Sequence, residues 1–114
     1  MAQYMFLFRR GEAPASSPAE MQQQMRRWMT WMAELKTQGH LKEAGQQLER
    51  AGRVVRASRK KTATDGPYAE KDLVVGYLII EAGNLDQAEQ LSWGCPIFQT
   101  NGVVEIRPVM PASP

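Results

Sequence analysis

Cysteine occurs once in this chain, at Cys95, and histidine once, at His40. A single cysteine excludes a disulfide within the chain, so packing and hydrogen bonding must hold the fold. One cysteine and one histidine cannot fill a zinc site unaided, and no metal site is expected. The chain also lacks a large charge imbalance, with 14 Lys and Arg against 12 Asp and Glu. The formal net charge is +2, too small by itself to argue for a nucleic-acid partner. No apolar run approaches the roughly 20 residues that a membrane-spanning helix needs. The opening MAQYMFLFRR lacks a basic leading segment, and charge follows after a few apolar residues, so it does not read as a signal peptide. A cytoplasmic protein with no membrane partner is the resulting expectation.

What remains is enough to fold. The 114 residues, 43% of them hydrophobic, suit one domain with one core. Residues 1–109 read as that domain and 110–114 as a loose tail. Gln3 to Arg9 is apolar and aromatic without a breaker, which predicts a strand. Its two faces, Tyr4, Phe6 and Phe8 against Met5 and Leu7, are both apolar. Ser17, Pro18 and Glu20 form a helix start: an N-cap, a proline at the first helical position and a capping-box glutamate. Met21, Met25, Trp28, Met32 and Leu35 recur at helical spacing and predict the buried stripe, with Trp31 off it at a rim or second interface. Gly39 is placed to end the helix.

Beyond it, Leu41 and Leu48 are the expected buried anchors of an irregular stretch. Arg53 to Ala57 and Lys61 to Thr64 suggest two short strands. Leu73 to Ala82 is the clearest strand, rich in branched and aromatic residues. Asn84 and Gln87 open a second helix, with Leu85, Ala88 and Leu91 on one face. Val103 to Val109 closes as a strand. This order around a split βαβ unit predicts an α+β, ferredoxin-like sandwich, an antiparallel sheet with two helices on one face. Apolar residues on the other face need a cover, and a second copy is the simplest one. A homodimer through the sheet faces is therefore expected, with a ligand cavity between them.

Three features invite a chemical reading. Arg50, Arg53, Arg56, Arg59, Lys60 and Lys61 make a basic stretch. No aromatic interleaves it, so a solvated edge protected by charge fits better than a nucleic-acid surface. Cys95 follows a helix end, where the dipole does not favour a thiolate, and reads as packed and inert. TDGPYAEKD, residues 64–72, is longer than a turn needs. Asp65, Gly66 and Pro67 are explained as corner chemistry. Tyr68, Glu70 and Lys71 are not, and such a loop can project a phenol and a carboxylate into a cleft. Glu70 could then serve as a general acid or base, and Lys71 could neutralise an anionic ligand. Arg107 either faces the interior, as a partner for a ligand carboxylate, or faces out.

DGPYAEK resembles the signature of the DGPF-domain branch of the YCII-related family, which has Phe where this chain has Tyr68. The resemblance continues through VGYLIIEA, Leu85-Asp86-Gln87-Ala88, Cys95-Pro96 and VEIRPV. It implies a ferredoxin-like fold that pairs as a dimeric α/β barrel. A His–Asp pair has been suggested as catalytic in the wider family, but His40 does not fall where that histidine falls. The resemblance therefore carries no such pair onto this chain.

The leading expectation is a small-molecule-binding homodimer, read also as an enzyme using acid–base chemistry without metal or organic cofactor. Asp65 and Glu70 are the candidate catalytic groups. Tyr4, Gly66, Pro67, Tyr68, Lys71, Tyr77 and Arg107 are the candidate ligand-binding ones. Its rivals are a non-enzymatic regulatory module with a protein partner in sigma-factor-type transcription regulation, and a structural dimer with no ligand.

Overall fold

The computed structural model describes residues 1–11, 17–55 and 73–111. The elements run β1 (Ala2–Arg9), α1 (Pro18–Thr37), β2 (Leu41–Gln47), β3 (Val74–Ala82), α2 (Leu85–Ser92), a short 3-10 turn (Pro96–Thr100) and β4 (Val103–Pro108). The strands form one antiparallel sheet in the order β2-β3-β1-β4. This is the ferredoxin-like α+β arrangement, with the two most apolar strands in the middle.

The helices begin where side-chain caps begin them. Ser17 Oγ accepts from the Glu20 amide at 3.1 Å, with Pro18 at the first turn. Asn84 Oδ1 accepts from the Gln87 amide at 2.8 Å, and Gln87 Oε1 reaches back to the Gly83 amide. α1 ends as Gly39 turns left-handed at φ +80, which few other residues tolerate. The His40 amide then bonds to the Leu35 carbonyl and the Gly39 amide to that of Lys36, satisfying two orphan carbonyls.

The core lies between the helices and one sheet face. Phe6, Phe8, Leu78, Ile80 and Ala82 point at Trp31, Leu35, Ala88 and Ile97. Trp31 is the main correction on α1. It is only 4% exposed, stacks on Phe6 and meets Phe8 and Trp28 edge-on. Its indole N–H donates to the Leu91 carbonyl at 3.1 Å. A Cβ at Gly94 would come within 2.8 Å of its ring, so the glycine makes room for it. The buried stripe is Trp28, Trp31, Met32 and Leu35, an i, i+3, i+4, i+7 set. Met21 and Met25 are exposed, because they precede the part of α1 that meets the core. Leu85 is exposed as well.

β2 is the second correction. LKEAGQQ, expected to be irregular, supplies the fourth strand. Its pairing with β3 shifts register twice, and Gly45 takes the second shift at φ +67. A Cβ there would collide with the Tyr77 carbonyl, so only glycine fits. Leu48 is exposed rather than anchored. Arg53 to Val55 form no strand; the rest of the two expected strands lies outside the described residues.

Candidate functional site

Strand alternation divides the sheet into two unlike faces. Tyr4, Phe6 and Phe8 lie under the helices, so Met5, Leu7 and Arg9 point the other way. On β3 the same parity sends Tyr77 and Ile79 outward, while Val75, at the register shift between Phe8 and Arg9, packs against the core. Antiparallel register then lines residues up across the sheet. One row runs Glu43, Ile79, Met5, Arg107 and the next runs Gln46, Tyr77, Leu7, Glu105. Each row has an apolar middle and polar ends. Among the described residues, no helix covers this face, and its apolar side chains Met5, Leu7, Tyr77 and Ile79 are half-buried.

Charge gathers at the β4 side. Arg9 donates to Glu105 Oε1 at 2.7 Å, and Arg107 Nε lies 4.0 Å from Glu105 Oε2. One carboxylate thus stands between two guanidinium groups, with local charge positive. Arg107 is 69% exposed at its side chain, so its fork can reach an incoming anion. The open face thus sets the Tyr77 phenol and the Arg107 guanidinium beside apolar Leu7, Met5 and Ile79.

The expected site residues divide between the faces. Tyr77 and Arg107 are on the open one, where the Arg107 side chain is largely exposed. Tyr4 is buried under the helices, opposite Ile80 and Pro108, away from both. Asp65, Gly66, Pro67, Tyr68, Glu70 and Lys71 lie outside the described residues. Arg9 and Glu105 are members of the open face that sequence reasoning missed. Their signal was present: Arg9 shares parity with Met5 and Leu7, and Glu105 with Arg107, but only the β1–β4 register joins them.

The other reactive groups have structural duties. His40 Nδ1 lies 2.8 Å from the Glu81 carbonyl, to which it donates, tying the end of α1 to β3. Cys95 is buried, and that burial pushes its thiol up to about 12, against a smaller lowering by its hydrogen bond with the Ile97 backbone. It is an inert thiol at neutral pH. Among the described residues, no group of three or more His, Cys, Asp or Glu side chains could hold a metal ion. No helix among them is long and apolar enough to cross a membrane. A concavity of about 510 Å³ lies on the helix side, between α2, the 3-10 turn and β4, lined by Leu85, Trp93, Phe98, Val104 and Ile106.

The model of the YCII-related domain matches residues 2–113. No curated protein matches. Among solved structures, the chain is similar to the 5-chloro-2-hydroxyhydroquinone dehydrochlorinase TftG from Burkholderia phenoliruptrix AC1100, in complex with 2,5-dihydroxybenzoquinone. The identity is 18%, the coverage 89% of this chain and 90% of that one, and the TM-score 0.39.

Proposed function

Since the chain belongs to the YCII-related domain family, we propose that it acts as a homodimer binding a small molecule between two facing copies of its sheet. The observation that carries this reading is the open face itself. Met5, Leu7, Tyr77 and Ile79 form an apolar strip on a face that no described element covers, with Arg9, Glu105 and Arg107 at its margin. Stacking two such faces removes apolar area from water and leaves the charged margins at the rim. The ligand is a small, flat, mostly apolar anion, held by Tyr77 and Arg107.

Asp65, Tyr68 and Glu70 join this site in the proposal by chain connectivity. Residue 72 leads directly into Leu73, whose carbonyl accepts from the Arg10 amide at the end of the open face that carries Arg9. Asp65 and Glu70 are the proposed acid–base pair, with Lys71 balancing charge. The reaction proposed needs no metal or organic cofactor, and the protein is proposed to work in the cytoplasm.

Thermal shift against a set of small aromatic and aliphatic carboxylates tests the binding. Any hit should weaken by roughly tenfold or more in Arg107→Ala, the loss of one charge-assisted contact. Tyr77→Phe should weaken it less. A hit unchanged in both variants would remove the site from this face. Asp65→Asn and Glu70→Gln should lower turnover of a bound substrate while leaving its binding within a few-fold.

A further inference from the structure

Two arginines stand at the margin of the open face, and one carboxylate holds them unequally. Arg9 donates to Glu105 Oε1 at 2.7 Å, a full charge-assisted hydrogen bond. Arg107 approaches Oε2 of the same carboxylate through Nε, at 4.0 Å. That separation makes an ion pair without a hydrogen bond. An exposed pair of this kind contributes little, so Arg107 can exchange one anion for another at little cost. The strands produce this inequality. Glu105 and Arg107 alternate with Ile106 on β4 and share a side of the sheet, Glu105 opposite Leu7 and Arg107 opposite Met5. Arg9, opposite Val103, reaches Glu105 along the diagonal. Arg107 is also the one lysine or arginine after Lys71, and the chain sets it beside a carboxylate.

We propose that Glu105 sets the charge selectivity of this site, admitting ligands with a single anionic group and rejecting those that carry a second one beside it. The proposal rests on the reading of the open face as a ligand site, and adds to it the residue that chooses among ligands. A guanidinium offers a side-on edge, which includes Nε, and an end-on edge made of its two terminal nitrogens. Glu105 stands at the Nε side of Arg107 and leaves the end-on edge to a ligand carboxylate. The hydrogen bond from Arg9 keeps Glu105 in place when that carboxylate arrives. A second anionic group next to the first then meets the Glu105 carboxylate at short range, where like charges repel. A fixed like charge gives specificity by weakening the wrong ligand, without having to tighten the right one.

Two matched probes test it, 2-methylbenzoate and phthalate, which differ in whether the second group is a methyl or a carboxylate. Their affinities are measured by calorimetry for the wild type, Glu105→Gln, Glu105→Ala and Arg107→Ala. Glu105→Gln removes the charge at nearly constant shape, and Glu105→Ala decides the matter if the first variant fails to fold. The wild type should favour 2-methylbenzoate by roughly tenfold or more. Each folded Glu105 variant should lose most of that preference, through tighter binding of phthalate. A merely structural Glu105 would weaken both probes alike and leave their ratio unchanged. An unchanged ratio, with both probes weakened in Arg107→Ala, would overturn the selectivity and leave the ligand site standing. Equal affinities in the wild type and Arg107→Ala would remove the site itself, and the selectivity with it. Failure of the wild type to bind either probe would count against both.

Discussion

The two faces of the sheet come from the same strands and have opposite fates. Under the helices, Phe6, Leu78 and Ile80 are fully buried, and Trp31 closes over them with its one polar atom satisfied. On the reverse, Met5, Leu7, Tyr77 and Ile79 alternate with them residue by residue, yet stay half-covered beside an ion-paired margin. Both faces are apolar enough to bury. The helices are enough for only one, and the leftover face is where function is proposed. A close-packed core and a working surface are thus separated by one peptide unit along each strand.

The largest expected effect breaks the covered face. Trp31→Ala removes a ring stacked on Phe6, leaves a cavity and frees the Leu91 carbonyl, and should cost about 3–5 kcal/mol by denaturant unfolding. A loss below about 1 kcal/mol would mean that α1 does not seal this face. The seal also has a pH signature. Folded Cys95 holds its proton up to about 12, above its ordinary value of 9.0, so between those limits the folded state binds more protons than the unfolded one. Its share of stability is complete below pH 9.0 and is lost as pH rises towards 12. Cys95→Ala should show a shallower alkaline decline, and the native thiol should resist a thiol reagent at pH 8 until the protein unfolds. Next comes the α2 cap: Asn84→Ala should cost about 1 kcal/mol. The smallest effect sharpens the contrast from the other side. Arg107→Ala, on the open face, should change unfolding by less than about 0.5 kcal/mol while weakening any anionic ligand.

How much of this the residues disclosed depended on how local each cause is. β1, β3 and both helix starts were legible because caps and alternation act within a few positions, as at Ser17–Glu20 and Asn84–Gln87. β2 was not, because LKEAGQQ has no alternation and owes its strand to pairing with β3 around Gly45. Trp31 was misplaced because a helical stripe says which residues share a side, and not how much of that side meets a sheet. The open apolar face was legible from two-sided strands. The Arg9–Glu105–Arg107 margin was not, since it exists only through the β1–β4 register. The Asp65–Lys71 run, the strongest motif in the sequence, lies outside the described residues and remains a proposal tied to the family.

The central claim is that the open face is a contact surface, and Leu7→Asp tests it most directly. Leu7 sits in the middle of that face, paired with Tyr77 and Glu105, and takes no part in the helix-covered core. Sedimentation equilibrium of the folded variant should give half the wild-type mass, because a buried unpaired carboxylate at the centre of the stacked faces forbids their contact. Equal masses for wild type and variant, with both shown folded by circular dichroism, would contradict the account.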